Sequence, residues 1–537
     1  MKTTYPVLSC AAAMAWEKGL LQGAEAREWT AMSRAGRLIG AALEEDWLEG
    51  GGPRPEGTIL ILAGKGHNAG DALIAAEELY RRYSGLRIEV VFVMGERALR
   101  PLVKRAWRDL QQAAGERVRA ASIASGRPVA EWLEARLGGV FWDVCLDGIL
   151  GMQFKPPLRA PVDAVLSWVN ARARIGLRAA VDLPSGLGDV SAEEAFRADF
   201  TYMPGIAKLP AFGRDAGRWT GRLRYLDLDF FAGGEPASDR RLVGPGILGG
   251  LSALRDPLKH KKDYGHLFLI GGSRAMPGAL LMSVMAAVRS GVGLVTAFVP
   301  ESLVPAFAAR VPEAMWVPWP ETAQGGLARE GLNLFLDRRG EATALVMGPG
   351  MGTAEETQAL SADIAGRAAC PLLLDADALR GSVIDAAVSG RGGAPLVLTP
   401  HAGEFSRVAE KTFTEGGEAL LMDYCREKRG VVVLKGPPFT RIADEASLWY
   451  GLTGGPVLAR GGSGDVLSGL LGGLLAWETG SAVEVAARGV YWHGAAADCL
   501  ARACGATAVS ATRLVEFLPE ALGKGPKTGT TPGRFPS

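Results

Sequence analysis

Gly461-Gly462-Ser463-Gly464-Asp465 runs directly into the apolar stretch Val466–Trp477. A glycine loop opening a buried helix leaves backbone N–H groups without intrahelical partners and turns the positive end of the helix dipole toward an anion. Phosphate suits that cradle. An aspartate at its mouth is placed to take the proton of a hydroxyl attacking a phosphoryl group. The same five residues also fit a plain turn with Asp465 as a helix N-cap, so both readings stand open on the loop alone.

Outward from this loop, polar turns close several apolar runs. Val346-Met347-Gly348-Pro349-Gly350, Leu372–Asp375 with Ala376-Asp377-Ala378-Leu379, Thr399-Pro400-His401-Ala402-Gly403-Glu404-Phe405 and Leu434-Lys435-Gly436 each end a predicted strand. In open α/β sheets ligands collect where such turns converge, at the carboxyl ends of strands. Asp375 and Asp377 suit magnesium or water binding and structural capping equally. The chain has no G-x-x-x-x-G-K-[ST] run, so a P-loop is not supported.

Strand-like runs alternate with helical patterns along two series, which predicts parallel α/β sheets. The first comprises Thr58–Ala63, Ile88–Val93, Val140–Asp147, Ala179–Leu183 and Phe200–Met203; the second His266–Ile270, Leu294–Phe298, Ala344–Met347, Leu372–Asp375, Leu396–Leu398 and Val431–Leu434. Between them, Phe231–Lys262 is broken by Gly-Gly and Pro-Gly punctuation, so a boundary is expected near residue 240. The expected domains are 1–235 and 245–522, with 523–537, rich in Gly, Pro, Thr and Lys, as a disordered tail. Near the start, Ser9 is expected to cap an amphipathic helix through Met14 and Trp16.

Composition sets the outer bounds. With 59 Lys plus Arg against 58 Asp plus Glu over 537 residues, the net charge is +1, and no global field recruits nucleic acid or an anionic membrane. The 72 glycines follow no G-X-Y period in a chain that is 48% hydrophobic, which indicates a globular protein with many tight turns. Six scattered cysteines and five histidines form no disulfide framework, zinc pattern or H-E-x-x-H set. The longest apolar stretch, Ala279–Val299, is interrupted by Arg289, Gly291 and Gly293 and reads as helix then strand, so a cytoplasmic enzyme is expected.

The motifs of the second half, taken in order, resemble the ribokinase-like ADP- or ATP-dependent NAD(P)H-hydrate dehydratases over residues 245–520. The resemblance rests on His260–His266, Ile270-Gly271-Gly272-Ser273, Met276-Pro277-Gly278-Ala279, Gly348-Pro349-Gly350, Asp375–Leu379, Thr399–Phe405, Leu434-Lys435-Gly436 and Gly461–Asp465. It implies that Ala279, Gly350, His401 and Asp465 line the site of the hydrated nicotinamide. Lys435, Gly436, Pro437, Pro438, Phe439, Thr440 and Gly464 would bind the adenine nucleotide, although the turn before Thr440 looks one residue longer than usual. Phosphorylating the C6 hydroxyl of the hydrated ring turns a poor leaving group into a good one, with Asp465 as base and Mg²⁺ balancing the phosphate charge. Bacterial members generally use ADP, releasing AMP and phosphate, and eukaryotic ones ATP. The rival is a ribokinase-type small-molecule kinase, against which the Met276–Ala279 and Thr399–Phe405 motifs argue; from another class, the rival is a noncatalytic nucleotide-binding protein.

In the first half, the strand ending at Ala63 runs into Gly64-Lys65-Gly66-His67-Asn68-Ala69-Gly70-Asp71-Ala72, and Leu146–Gly151 and Val181–Gly186 close two further strands. Three oxygen-bearing turns on one sheet edge suit a hard cation and a positioned carboxylate. This set, with Met32–Arg37 and Lys208, resembles over about residues 5–230 the NAD(P)H-hydrate epimerase domain, which many bacteria fuse ahead of the dehydratase. The resemblance implies a Rossmann-like three-layer α/β domain preceding the ribokinase-like one. It also implies K⁺ at Asn68, Asp147 and Ser185. Substrate would be held by His67, Asn68, Ala69, Gly70, Asp71, by the loop Gly151, Met152, Gln153, Phe154, Lys155, Pro156 and Pro157, and by Asp182, which is the acid–base candidate for C6 epimerisation. The chain departs from the usual motifs at His67 and Ala69 and at Met152 and Gln153, where a side chain replaces a glycine that permits close approach. The alternative is an N-terminal domain that binds nucleotide without turnover. The expected partners are small molecules, the hydrates of NADH and NADPH and an adenine nucleotide, with no nucleic acid and no membrane; assembly into a homo-oligomer stays open.

Overall fold

The computed structural model describes residues 2–123 and 126–523. The described residues divide into two compact units, one of Tyr5–Arg240 and one running from Arg241 onward that also takes Lys2–Thr4. Those first residues are held there by backbone bonds from Gly244 N to the Thr3 carbonyl at 2.8 Å and from Gly246 N to the Lys2 carbonyl at 3.1 Å. Of the segment 523–537 expected as a tail, 524–537 lies outside the described residues; Gly523 ends the helix Ala511–Gly523. Among the described residues no helix is long and apolar enough to cross a membrane.

In the N-terminal unit, the described residues form a parallel sheet in the order Val118–Ser122, Arg87–Phe92, Thr58–Ala63, Trp142–Gly148, Ile175–Val181, Phe200–Pro204, Arg222–Leu226. Its central strands are apolar on both faces, as a sheet covered on two sides requires. Alternation along one strand divides the core: Ile59, Ile61 and Ala63 join the cluster that includes Leu73, Leu79, Val103 and Trp107, while Leu60 and Leu62 join one with Leu133, Val165 and Leu166. Helices thus cover both faces, which is the three-layer α/β arrangement expected. Away from this sheet, Thr4–Leu8 pairs in parallel with Ala207–Lys208 and feeds the helix Cys10–Leu21, whose N-cap is Ser9.

In the second unit the strands Met315–Trp319, Leu294–Pro300, His266–Ile270, Ala344–Met347, Leu372–Leu374, Leu396–Leu398 and Val431–Leu434 lie parallel in that order, followed by the antiparallel pair Thr440–Ala443 and Leu448–Gly451. The glycine-loop helix Ser463–Trp477 is buried from Val466 to Ala476. Its four glycines, Gly464, Gly469, Gly472 and Gly473, each weaken an isolated helix by about 1 kcal/mol relative to alanine. Packing reverses the balance. A Cβ at Gly469 would meet the Ser283 backbone and one at Gly472 would meet Val346, so glycine lets the helix close on its neighbours. Leu470, Leu471 and Leu474, all at 0% exposure, then contribute about 1.5–3 kcal/mol each.

Candidate active sites

The loop before the C-terminal helix turns on Gly462, whose φ of +92° favours glycine, and Gly462 is the N-cap without any side-chain cap. Asp465 is therefore not the N-cap that the bland reading required; it sits in the first turn. Ser463 Oγ locks the turn by donating to the carbonyls of Leu458 at 2.6 Å and Arg460 at 3.1 Å. The Asp465 carboxyl is half-buried. Burial, reinforced by Asp375, pushes it up to about 6, with Lys435 pulling the other way and Asp377 adding to the rise.

Lys435, just past the strand Val431–Leu434, reaches the same place. Its Nζ lies 2.8 Å from Asp375 Oδ1, and a Cβ on Gly464 would stand 3.3 Å from that ammonium. The other Asp375 oxygen accepts from Ser468 Oγ, which also donates to the Gly464 carbonyl at 3.0 Å. Asp375, 1% exposed, therefore ties the lysine to the first turns of the helix. Asp377 Oδ2 accepts from Gly352 N at 2.8 Å, which steadies the turn after Gly350. Both carboxylates thus tie turns of the fold together, and Asp375 stands at the N-cap of the short helix Ala376–Ala378 without a side-chain capping bond.

Ala279 is joined to this centre through Ser283, whose hydroxyl donates to the carbonyls of both Ala279, at 3.2 Å, and Asp465, at 2.9 Å. Gly350 lies against it, since a Cβ there would stand 3.0 Å from Ala279 Cβ. His401 pairs by a backbone bridge with Lys435. Its ring caps the helix Ala402–Ala409, Nδ1 accepting from Gly403 N at 3.0 Å, while the side chain stays 62% exposed. Gly436 and Pro437 are exposed, Pro438 and Thr440 half-buried, and Phe439 is turned inward with its ring centroid 5.4 Å from that of Tyr450. Ser283, Ser468 and the anchoring use of Asp375 escaped the sequence reading. Ser468, three residues after Asp465 and thus one helical turn on, was the available signal.

The N-terminal candidates surround a cavity of about 100 Å³ lined by Glu17, Glu28, His67, Asn68, Asp71, Met152, Asp182, Lys208 and apolar neighbours. Asp182 leaves the strand Ile175–Val181 at φ +71°, an uncommon conformation for a residue with a Cβ. Its Oδ1 stands 2.5 Å from Lys208 Nζ, and both side chains are buried. Burial alone drives a lysine down, but Asp182 and Glu17 outweigh it and leave Lys208 raised. Asp71 is pushed well above the carboxylate range by burial and by Asp182 and Glu17, and its Oδ1 has no hydrogen-bond partner among the described residues.

Beside the cavity, Asn68 Nδ2 donates to the carbonyls of Leu150 and Val181, each at 3.0 Å. Asp147 Oδ1 accepts from Ser185 Oγ at 2.7 Å and Ile149 N at 3.1 Å, and Oδ2 from Ser185 N at 2.7 Å. Complete burial pushes Asp147 up to about 6 despite those bonds. Among the described residues no group of His, Cys, Asp and Glu is arranged to hold a metal ion. Ala69 and Gly70 are buried in the first turn of the helix His67–Arg82; His67 is exposed, 3.9 Å from Glu28. In the loop, Gly151, Met152 and Phe154 are half-buried and Gln153, Lys155, Pro156 and Pro157 exposed. Only Met152 of that loop reaches the cavity lining. Glu17, Glu28, Leu228 and Phe230 were missed, because nothing local distinguishes one glutamate on an amphipathic helix.

Residues 267–520 match the family model described as NAD(P)H-hydrate dehydratase, and residues 30–209 the one described as YjeF-related protein N-terminus. Over 483 residues the chain is 34% identical to the bifunctional NAD(P)H-hydrate repair enzyme of Gloeobacter violaceus, covering 88% of this chain and 89% of that one. With the enzyme of the same name from Moorella thermoacetica it shares 32% identity over 478 residues, 86% and 87% of the two chains. Among solved structures it is similar to the ADP/ATP-dependent NAD(P)H-hydrate dehydratase from Bacillus subtilis co-crystallized with ATP/Mg²⁺, at 30% identity and a TM-score of 0.43, over 50% of this chain and 93% of that one.

Proposed function

The chain belongs to the bifunctional NAD(P)H-hydrate repair enzymes, and from that premise we propose that its second unit dehydrates the S hydrate of NADH or NADPH at the expense of ADP, with ATP the lesser donor. Asp465 takes the proton of the C6 hydroxyl as its oxygen attacks the terminal phosphoryl group. The nucleotide departs with one phosphate fewer, the C6–O bond of the new ester breaks with its pair leaving on phosphate, and the C5–H pair forms the C5=C6 double bond as the C5 proton passes to the departing phosphate. Lys435 and the N–H groups at the start of the helix meet the charge that builds on the phosphoryl oxygens. The observation that carries this reading is the half-buried Asp465 in the first turn of that helix, beside a lysine held over Gly464.

Around Asp465, the carboxylates of Asp375 and Asp377 raise its pKa and only Lys435 opposes them. That excess of negative charge, where phosphates arrive, fits Mg²⁺ entering with the nucleotide and supplying charge neutralisation. In the N-terminal unit, the groups acting on buried Asp147 include no ammonium or guanidinium, and the oxygens of Asp147, Ser185 and Asn68 suit K⁺. Bound there, the ion would supply the missing counter-charge and steady the turns that hold Asp71 and Asp182. This unit interconverts the R and S hydrates, with Asp182 as the acid–base group, so that both epimers reach the dehydratase. Small molecules are its partners, and a cytoplasmic setting follows from that role.

The test is recovery of absorbance at 340 nm from purified S hydrate with Mg²⁺ and either ADP or ATP. The expected result is recovery, faster with ADP. No recovery with either nucleotide overturns the dehydratase reading.

A further inference from the structure

Part of the N-terminal cavity wall comes from outside the residues matched by the YjeF-related model, 30–209. The helix Cys10–Leu21 supplies Glu17 and Leu21, and the segment after the strand Arg222–Leu226 supplies Leu228 and Phe230. These two segments hold each other. Trp16 Nε1 donates to the Phe230 carbonyl at 3.1 Å, and its ring stacks on Phe231 with centroids 5.8 Å apart. The start of the helix is pinned as well. The Asp189 carboxylate accepts from Cys10 N at 2.7 Å and Ala11 N at 2.9 Å, and Ser9 Oγ accepts from Ala12 N at 3.1 Å. The strand that feeds it sets Leu8 in register with Lys208. With the helix pinned at its start and again at Trp16, next to Glu17, that side chain is held in one place, which proton transfer demands.

Glu17 shares the cavity with Asp182, Lys208, Asp71, Glu28 and His67, and Cys10 lies on its own helix. Lys208 is bonded to Asp182, and among the described residues Glu17 has no ion-pair partner. Burial pushes Glu17 up to about 7, with Lys208 offsetting part of the rise and Asp182 adding to it. The unpartnered Asp71 Oδ1, on a residue only 7% exposed, marks the same cavity as a place built for a polar guest. Of the four carboxyls lining this cavity, Asp182 is bonded to a lysine and Glu17 is not, and carboxyls in such unlike surroundings are the kind that divide into base and acid.

We propose that Glu17 is a second catalytic residue of the epimerase site, the acid that works against Asp182 as base; this rests on the epimerase reading of the N-terminal unit. C6 of the hydrate carries the hydroxyl and is bonded to ring nitrogen N1. Asp182 takes the hydroxyl proton, the O–H electron pair becomes the second C–O bond, and the C6–N1 bond breaks with its pair passing to N1. Glu17 delivers its proton to N1. Rotation about C5–C6 presents the other face of the aldehyde, N1 attacks it while returning its proton to Glu17, and Asp182 gives a proton back to the oxygen. The cycle consumes nothing and inverts C6.

The experiment follows consumption of pure R hydrate by the full chain without nucleotide, using chromatography to separate the epimers. For Glu17→Gln, kcat is expected to fall about a hundredfold or more with KM within about threefold, and Glu17→Asp to keep part of the rate. Wild-type kcat/KM is expected to decline as the pH rises above about 7, where Glu17 loses its proton. An active wild type matched by Glu17→Gln overturns the assignment alone. A wild type no faster than spontaneous epimerisation overturns the epimerase reading and this assignment with it. Should both variants fail to fold, a wild-type profile flat from pH 6 to 9 overturns it.

Discussion

In the N-terminal cavity the lysine is bonded to the carboxylate assigned as base: Lys208 stands 2.5 Å from Asp182, both buried. In the second unit the lysine is bonded to a different carboxylate, Asp375, at 2.8 Å, and among the described residues Asp465 has no ion-pair partner. The difference follows from what each site must hold. In the proposed dehydration a lysine that has to meet a phosphoryl group cannot be spent on the base; Asp375 holds Lys435 over Gly464, which leaves Asp465 for the proton. Where no phosphoryl group is transferred, the ammonium is free to pair with the carboxylate assigned as base.

The sharpest break in this comparison is Asp465→Asn. Removing the base is expected to lower kcat for dehydration about a thousandfold, some 4 kcal/mol of barrier, while the far-ultraviolet spectrum stays that of the parent. A loss of tenfold or less would show that Asp465 is not the proton acceptor. The counterpart in the other unit is Lys208→Met, which leaves Asp182 buried beside an apolar side chain. It is expected to cost the N-terminal unit about 3 kcal/mol in a urea transition. An unchanged midpoint would mean that the pairing of Lys208 with Asp182 adds nothing to the stability of the unit.

The two sites should also fail on opposite sides of neutrality. In the proposed dehydration Asp465 is the base, and its pKa is raised to about 6, so its active form is lost as the pH falls through that value. Dehydratase kcat/KM is expected to drop about tenfold per pH unit below 6, whereas epimerisation declines above about 7. Lys435 pulls Asp465 down, so Lys435→Met should move the dehydratase limb to higher pH. A limb that stays near 4 in the parent would contradict the burial argument.

A smaller effect tests the cation assignment. The pKa of Asp147 is raised to about 6 in the folded chain from 3.8 when exposed, so its burial as an anion destabilises the fold progressively from pH 4 to 6 and fully above that. K⁺ at Asn68, Asp147 and Ser185 would offset this only where the carboxylate is ionised. Replacing tetramethylammonium chloride by potassium chloride at equal ionic strength should raise Tm by about 3–6 °C at pH 7.5, the size of a tenfold excess over Kd, and by less at pH 5. Equal shifts at both pH values would remove Asp147 from the site.

Central strands were legible because burial on both faces leaves continuous apolar runs: Thr58–Ala63, His266–Ile270, Ala344–Met347, Leu396–Leu398 and Val431–Leu434 lie where the pattern puts them. Edges were not. Val118–Ser122 and Arg222–Leu226 are largely half-exposed and carry arginines, and Met315–Trp319 contains Pro318, so each lacks the apolar signature. The strand expected at Ala179–Leu183 ends at Val181, because Asp182 turns out of it at φ +71°. In the sites, loop motifs marked Asp465, Lys435, Asp71 and Asp182, since those residues come with their glycines. Glu17 and Ser468 lie inside helices, and only folding brings them to the chemistry.

The gentlest probe is Gly464→Ala, and it bears on how closely Lys435 is held. The added Cβ would stand 3.3 Å from Nζ, tighter than usual but facing the end of a flexible side chain. Gly464 is in the first turn of the helix, where alanine is favoured over glycine by up to about 1 kcal/mol, so stability should rise slightly or hold. The lysine, tethered to Asp375, must shift by a few tenths of an ångström, and the methyl group occupies space beside the N–H groups assigned to phosphate. A rise in nucleotide KM of about three- to tenfold with kcat within about threefold is expected, a loss of about 1 kcal/mol in binding. If kcat instead collapses while KM holds, Lys435 acts chiefly on the transferring phosphoryl group rather than on the bound nucleotide, and the contrast with Lys208 becomes one between a lysine that serves the transition state and one that serves the resting site.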